Sequence, residues 1–170
     1  MAPLVRRTWA PIGQTPILQQ RTRSHQKVSM IAALCVPPKR DRVRLYFRLH
    51  PNANLNAITI RAFLRLLMRH IPGNIVLIWD NLGAHHGKVM QSLLQKTPRL
   101  HVFRFPPYAP ELDPVEYFWS YLKTKPLAND APEDIATLAT KARSHSRSIQ
   151  RTDRLLRSFV QHSPLSLRLR

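Results

Sequence analysis

A chain of 170 residues has room for one compact domain and too little for two complete ones, and its 44% hydrophobic content, with three tryptophans, excludes global disorder. Its 27 lysines and arginines against 9 acids, a net charge of +18, oppose compaction in isolation and call for a polyanionic partner, nucleic acid before any other. The lone Cys35 excludes an internal disulfide and a cysteine-based zinc site, no run nears about 18 apolar residues, and residues 1–7 lack the apolar core of a signal peptide, so a cytoplasmic chain is expected.

In chain order, residues 6–20 carry Pro11, Gly13 and Pro16 between short apolar pieces and predict a loop or hairpin entering a sheet. Residues 27–35 predict a buried strand that Pro37-Pro38 stops, and residues 42–49 alternate basic with apolar side chains, the period of a half-exposed strand. The two predict an antiparallel pair turning at residues 37–41. From Asn56, a plausible cap, Ile60, Phe63, Leu64, Leu67 and Met68 share one helical face, with Arg61, Arg65 and Arg69 on another, until Pro72-Gly73. The apolar run 74–79 predicts a central strand covered on both faces, ending in Asp80. A helix over 87–96, a strand over 100–105 and a proline-rich loop over 106–110 follow. Asp113 as cap, Pro114 at the first position and Glu116 at the third mark a further helix. Another helix is expected to start at residues 130–133, and Leu155, Leu156, Phe159 and Val160 suit a last amphipathic one.

Asp80 stands where an apolar strand gives out, and open α/β sheets place their ligands beyond the carboxyl ends of strands. A carboxylate there can bind a metal, and it can equally cap the turn that follows. Glu116 comes 35 intervening residues later, in the first turn of a helix. Because Asp113-x-x-Glu116 is a capping-box-like pattern, local capping accounts for both acids without a metal. His85 and His86 are candidate metal ligands or general bases, yet their place before a helix suits a structural or DNA-facing role. Asn81 suits loop orientation or substrate contact, and Phe118 and Trp119 read as core rather than base-stacking platforms.

Taken together, Ile78-Trp79-Asp80-Asn81-Leu82-Gly83-Ala84-His85 and Pro106-Pro107-Tyr108-Ala109-Pro110-Glu111-Leu112-Asp113-Pro114-Val115-Glu116 resemble the second and third acidic motifs of bacterial insertion-sequence transposases of the mariner-like DDE superfamily. The upstream Arg7-Thr8-Trp9-Ala10-Pro11-x-Gly13-Gln14-Thr15-Pro16 is similar to that family's early strand-and-loop region, so the resemblance runs over about residues 5–125. It implies an α/β fold with an RNase H-like mixed sheet flanked by helices. It also implies an Asp/Asp/Glu triad holding two Mg²⁺ or Mn²⁺ ions for phosphodiester cleavage and strand transfer. Asp80 and Glu116 match the triad's second and third members.

The first member lies on the family's first strand, upstream of the Arg7-Thr8-Trp9 segment, and no Asp or Glu precedes Asp41 in this sequence. Asp41, in a turn between later strands, does not replace it. The fold is therefore expected to lack its first strand and the family's N-terminal helix-turn-helix. Asp113 stands where the family commonly has Asn. Residues 1–128 are expected to form the partial catalytic domain and residues 129–170 a basic helical C-terminal extension. The implied partner is DNA, as insertion-sequence ends and target, bound in a salt-sensitive manner. The resemblance also admits a homodimer and an upstream-frame transposase segment as partners, and no membrane. The expected function is that of a transposase catalytic domain, inactive alone for want of the first aspartate. The alternatives are a noncatalytic nucleic-acid-binding remnant and an RNase H-like nuclease acting on RNA–DNA hybrids, the latter disfavoured by the Pro-Pro-Tyr-x-Pro loop.

Overall fold

The computed structural model of the chain describes residues 6–17, 27–130, 132–165 and 167–169. Strand β1 (Val28–Cys35) and strand β2 (Arg44–Pro51) pair antiparallel, in register from Val28 opposite Pro51 to Cys35 opposite Arg44. Their turn is closed by the Arg40 N–H donating to the Pro37 carbonyl at 2.9 Å. Pleating divides the side chains into two sets. Met30, Ala32 and Leu34 share a face with Leu45, Phe47 and Leu49, while Ile31, Ala33 and Cys35 share the other with Tyr46.

The first face packs under three helices. These are α3 (Pro114–Thr124), α4 (Ile135–Gln150) and α5 (Asp153–His162), which bury Phe118, Leu122, Ile149, Leu156 and Phe159 against it. The second face packs under α1 (Ala57–His70) through Ile60, Leu64 and Leu67. Asn56 caps α1 as its sequence predicts: Oδ1 accepts from the N–H groups of Ile58 and Thr59 at 3.0 Å each, and Thr59 Oγ1 accepts from Asn56 N–H at 2.9 Å. At the far end of α1 the guanidinium of Arg99 gathers the carbonyls of Met68, Ile71 and Gly73, satisfying groups that a helix end leaves without partners.

Strand β3 (Ile75–Trp79) crosses over through α2 (Lys88–Gln95) to strand β4 (Leu100–Arg104) and pairs with it in parallel, Ile75 opposite Leu100 and Trp79 opposite Arg104. Its inward set, Ile75, Leu77 and Trp79 with Leu100 and Val102, faces the apolar stripes of α1 and α2. The outward set does not find cover: Val76 is 63% exposed, Ile78 42% and Phe103 58%. The continuous apolar run predicted a strand covered on both faces, and one face is covered. The cause is topological, since β1–β2 and β3–β4 form two separate two-stranded sheets and α3, α4 and α5 lie over the first of them. The expected mixture of antiparallel and parallel pairing is present, divided between the two.

Helix α4 begins four residues later than expected. Asp134 caps it, accepting from Thr137 N–H at 2.7 Å, whereas Asp130 is drawn into an ion pair with Lys141 at 2.6 Å. Among the described residues no helix is long and apolar enough to cross a membrane.

Candidate active site

The apolar run of β3 carries the chain to Asp80, which the sheet leaves at the solvent-facing end of the strand. One of its carboxylate oxygens, Oδ1, accepts from Leu82 N–H at 3.2 Å and lies 3.1 Å from His85 Nε2. The His85 ring stacks on Trp79, centroids 4.1 Å apart, and its side chain is only 11% exposed. Burial holds the His85 imidazole below its ordinary pKa, with Asp80 opposing the shift. A neutral ring with its proton on Nε2 donates to Asp80, and the buried Nδ1 is left without a partner among the described residues. Trp79, Asp80 and His85 thus form one unit at the end of β3.

Asn81 ties that end to the neighbouring strand, its Nδ2 donating to the Phe105 carbonyl at 3.0 Å, while Phe105 N–H donates to the Trp79 carbonyl at 2.9 Å. The chain leaves this clasp directly into Pro106-Pro107, with Tyr108 in the left-handed region at φ 58° and a 3₁₀ turn at Pro110–Leu112. Asp113 then caps α3, Oδ1 accepting from Val115 N–H at 3.0 Å, with Pro114 at the first helical position. Phe118, fully buried, anchors the helix one turn later. The start of α3 is fixed from both sides, and with it the place of Glu116.

Glu116 is exposed, and its carboxylate has no hydrogen-bond or ion-pair partner among the described residues. The capping box that could have occupied it is only half made: Asp113 caps, Glu116 does not reciprocate. Asp113 is within electrostatic reach of both candidate acids. Burial raises its carboxyl above the usual range, the Val115 N–H opposes this, and the negative charges of Glu116 and Asp80 push the same way as burial. Asp80, Asp113 and Glu116 therefore share one electrostatic neighbourhood. No group of three metal-ligating side chains closes there or elsewhere among the described residues.

The pairing of Asp80 with a stacked His85 was missed by sequence reasoning, although a histidine five residues after a strand-end aspartate that follows tryptophan is a readable signal. Asp41 lies on the β1–β2 turn beside Arg42, at 3.6 Å. Residues 6–17 run fully exposed and without a strand. Gly13 at φ 81° closes a turn in which Gln14 N–H donates to the Pro11 carbonyl at 3.0 Å. Asn129 holds the Arg6 backbone from both sides, at 2.7 and 2.9 Å.

No curated protein matches the chain. Its fold is similar to that of the Mos1 mariner paired end complex with Mn, at a TM-score of 0.68 and 17% identity, covering 96% of this chain and 49% of that one. It is also similar to the Mos1 strand transfer complex, at 0.63 and 18%, covering 96% and 48%. The Mos1 transposase catalytic domain with raltegravir and Mg matches at 0.54 and 15%, covering 79% of this chain and 78% of that one. The chain thus spans about half the length of the first two, and the likeness makes its fold the RNase H-like α/β architecture of that catalytic domain. The profile of the family described as DDE superfamily endonuclease matches residues 2–139, and the chain belongs to that family.

Proposed function

We propose that this chain is the larger part of the catalytic domain of a mariner-like DNA transposase, acting on DNA in the cytoplasm with Mg²⁺ or Mn²⁺. The observation that carries the reading is the placement of Asp80 directly after β3 and of Glu116, exposed, on the first turn of α3, with Asp113 within electrostatic reach of both. Hard carboxylate oxygens suit a divalent cation, whose charge would offset theirs. When bound, such ions activate an attacking oxygen and stabilise a leaving one in phosphodiester exchange. The chain's own residues set the stage. Asp80 is aimed by Leu82 N–H and His85, Asn81 fixes the end of β3 against β4, and the rigid loop of residues 106–113 sets Glu116 on the first turn of α3. Asp113 caps rather than ligates.

A third carboxylate is needed, and in this reading a polypeptide segment other than residues 1–170 supplies it on a strand between β1 and β3. Three features support this. α1 packs on both strands, through Ile31, Ala33 and Cys35 of β1 and Leu77 and Trp79 of β3. The two are not hydrogen-bonded to each other. The outward apolar face of β3 is of the kind that a wider sheet with its helices would cover. The absence of any three-member ligand group among the described residues favours a second reading, a noncatalytic DNA-binding remnant.

Mn²⁺ binding followed by electron paramagnetic resonance separates the two. Weak binding by the chain that is lost in both Asp80→Ala and Glu116→Ala is expected, and binding unchanged in those variants, or absent from the parent, would overturn the first reading.

A further inference from the structure

Helix α4 is amphipathic in an uncommon way. Its inner face is built of small residues and one isoleucine, Ala139, Ala142, Ser146 and Ile149, all buried against the sheet and its neighbouring helices. On the outer face Arg143, Arg147 and Arg151 recur every fourth residue, and all three are exposed. Beside them runs a second row at the same period, the hydroxyls of Thr140, Ser144, Ser148 and Thr152. The two rows line one shallow depression of about 640 Å³.

Among the described residues no acid forms an ion pair with these three arginines. Asp130 is paired with Lys141, Asp134 is spent capping α4, and Asp153 accepts from Val43 N–H and pairs with Arg157. Asp153 is the sole acid among residues 141–170, against eight lysines and arginines. Like charges four residues apart on a helix destabilise it by about 0.2–0.5 kcal/mol per pair, so a surface made only for solubility would interleave glutamates.

We propose that this outer face of α4 is a docking ridge for the sugar-phosphate backbone of duplex DNA, distinct from the site at Asp80 and Glu116. The choice of DNA over other polyanions rests on the transposase reading. Arginine forks bind phosphate with two parallel hydrogen bonds, and the hydroxyls of Thr140, Ser144 and Ser148 add neutral donors to the same oxygens, while Thr152 Oγ1 donates to the Ser148 carbonyl at 3.1 Å. Four helical residues rise about 6 Å, close to the axial span of two phosphate steps of one strand, about 7 Å. Gln150, the amide that could recognise adenine, donates from Nε2 to the Leu45 carbonyl at 2.6 Å, and the regular fourth-residue spacing of the arginines follows the phosphate repeat rather than any base pattern. Binding here is therefore independent of sequence. The ridge is the face of α4 opposite the one that packs on β2, and none of its residues belongs to the candidate site at Asp80 and Glu116.

The chain offers its own charge-matched control. Arg61, Arg65 and Arg69 form a row of the same spacing on α1, with no accompanying row of hydroxyls. Affinity for a random-sequence duplex would be measured by fluorescence anisotropy across a salt series. The variant Arg143→Gln/Arg147→Gln/Arg151→Gln is expected to lose at least tenfold in affinity, and its salt slope to fall by about 2–3, since each phosphate contact contributes about 0.9. Arg61→Gln/Arg65→Gln/Arg69→Gln is expected to lose less than threefold with its slope unchanged. The corresponding lysine triple on α4 retains the slope, and the single Arg147→Gln lowers it by about 1. Equal losses from both glutamine triples, no loss from the α4 triple, or tighter binding of an RNA duplex would overturn the proposal. Mn²⁺ binding at Asp80 and Glu116 is expected to survive the α4 triple, so failure of the ridge and failure of the metal site are read separately.

Discussion

His85 touches both the core and the candidate site, because it lies flat on Trp79 while its Nε2 meets Asp80. Its imidazole is held below the ordinary value near 6.5 because burial outweighs Asp80. The folded chain thus binds this proton less readily than the unfolded one. The stability His85 contributes is present above about pH 6.5 and is lost as pH falls through its lower folded value. Thermal midpoints at pH 7.5 and 5.5 are expected to differ more in the parent than in His85→Gln; equal differences would show that the ring titrates as it does in water. The sequence marked His85 as a candidate and gave no sign of its burial, because a histidine before a helix has no fixed direction until the strand end behind it is placed.

At the scale of elements, the start of α3 was legible and the surroundings of β3 were not. Asp113, Pro114 and the buried Phe118 identify that helix through local chemistry, and local chemistry is what a sequence pattern records. The cover over Val76 and Ile78 depends on which strands share a sheet, which a continuous apolar run does not state. The start of α4 slipped from residues 130–133 to Asp134 because two aspartates compete for the cap and Lys141 takes Asp130. Of the two acids proposed to act, Asp80 was legible from its strand and Glu116 from its loop and cap, while the charge that Asp113 shares with them needed coordinates. That crowding has a measurable consequence. Asp113 has a raised carboxyl, so the stability it contributes is greatest at acid pH and lost as pH rises. Asp113→Asn keeps an equivalent cap and removes the charge, and is expected to melt above the parent at pH 7. Asp113→Ala loses the cap, at about 1 kcal/mol, and is expected to melt about 2–4 °C below the Asn variant. An Asn variant less stable than the parent would mean that the ionised carboxylate is needed where it stands.

For the whole molecule, charge and chemistry occupy different places. The net charge of +18 is concentrated toward both ends of the chain, with ten basic residues against Asp41 in residues 1–49 and eight against Asp153 in residues 141–170, while the candidate site gathers three of the nine acids. In the proposed function that division is useful, since a basic surface would hold phosphate while the carboxylates are kept for a metal. In the proposed reading two of the three carboxylates for phosphodiester chemistry, Asp80 and Glu116, stand in residues 1–170 and the third does not. Cleavage of supercoiled plasmid DNA in Mg²⁺ or Mn²⁺ tests it most directly, with the folded chain compared with Asp80→Ala and Glu116→Ala. In this reading all three proteins bind DNA in a salt-sensitive manner and none cleaves it. Cleavage by the parent that both substitutions abolish would show that a complete active site assembles from these residues alone, and would contradict it.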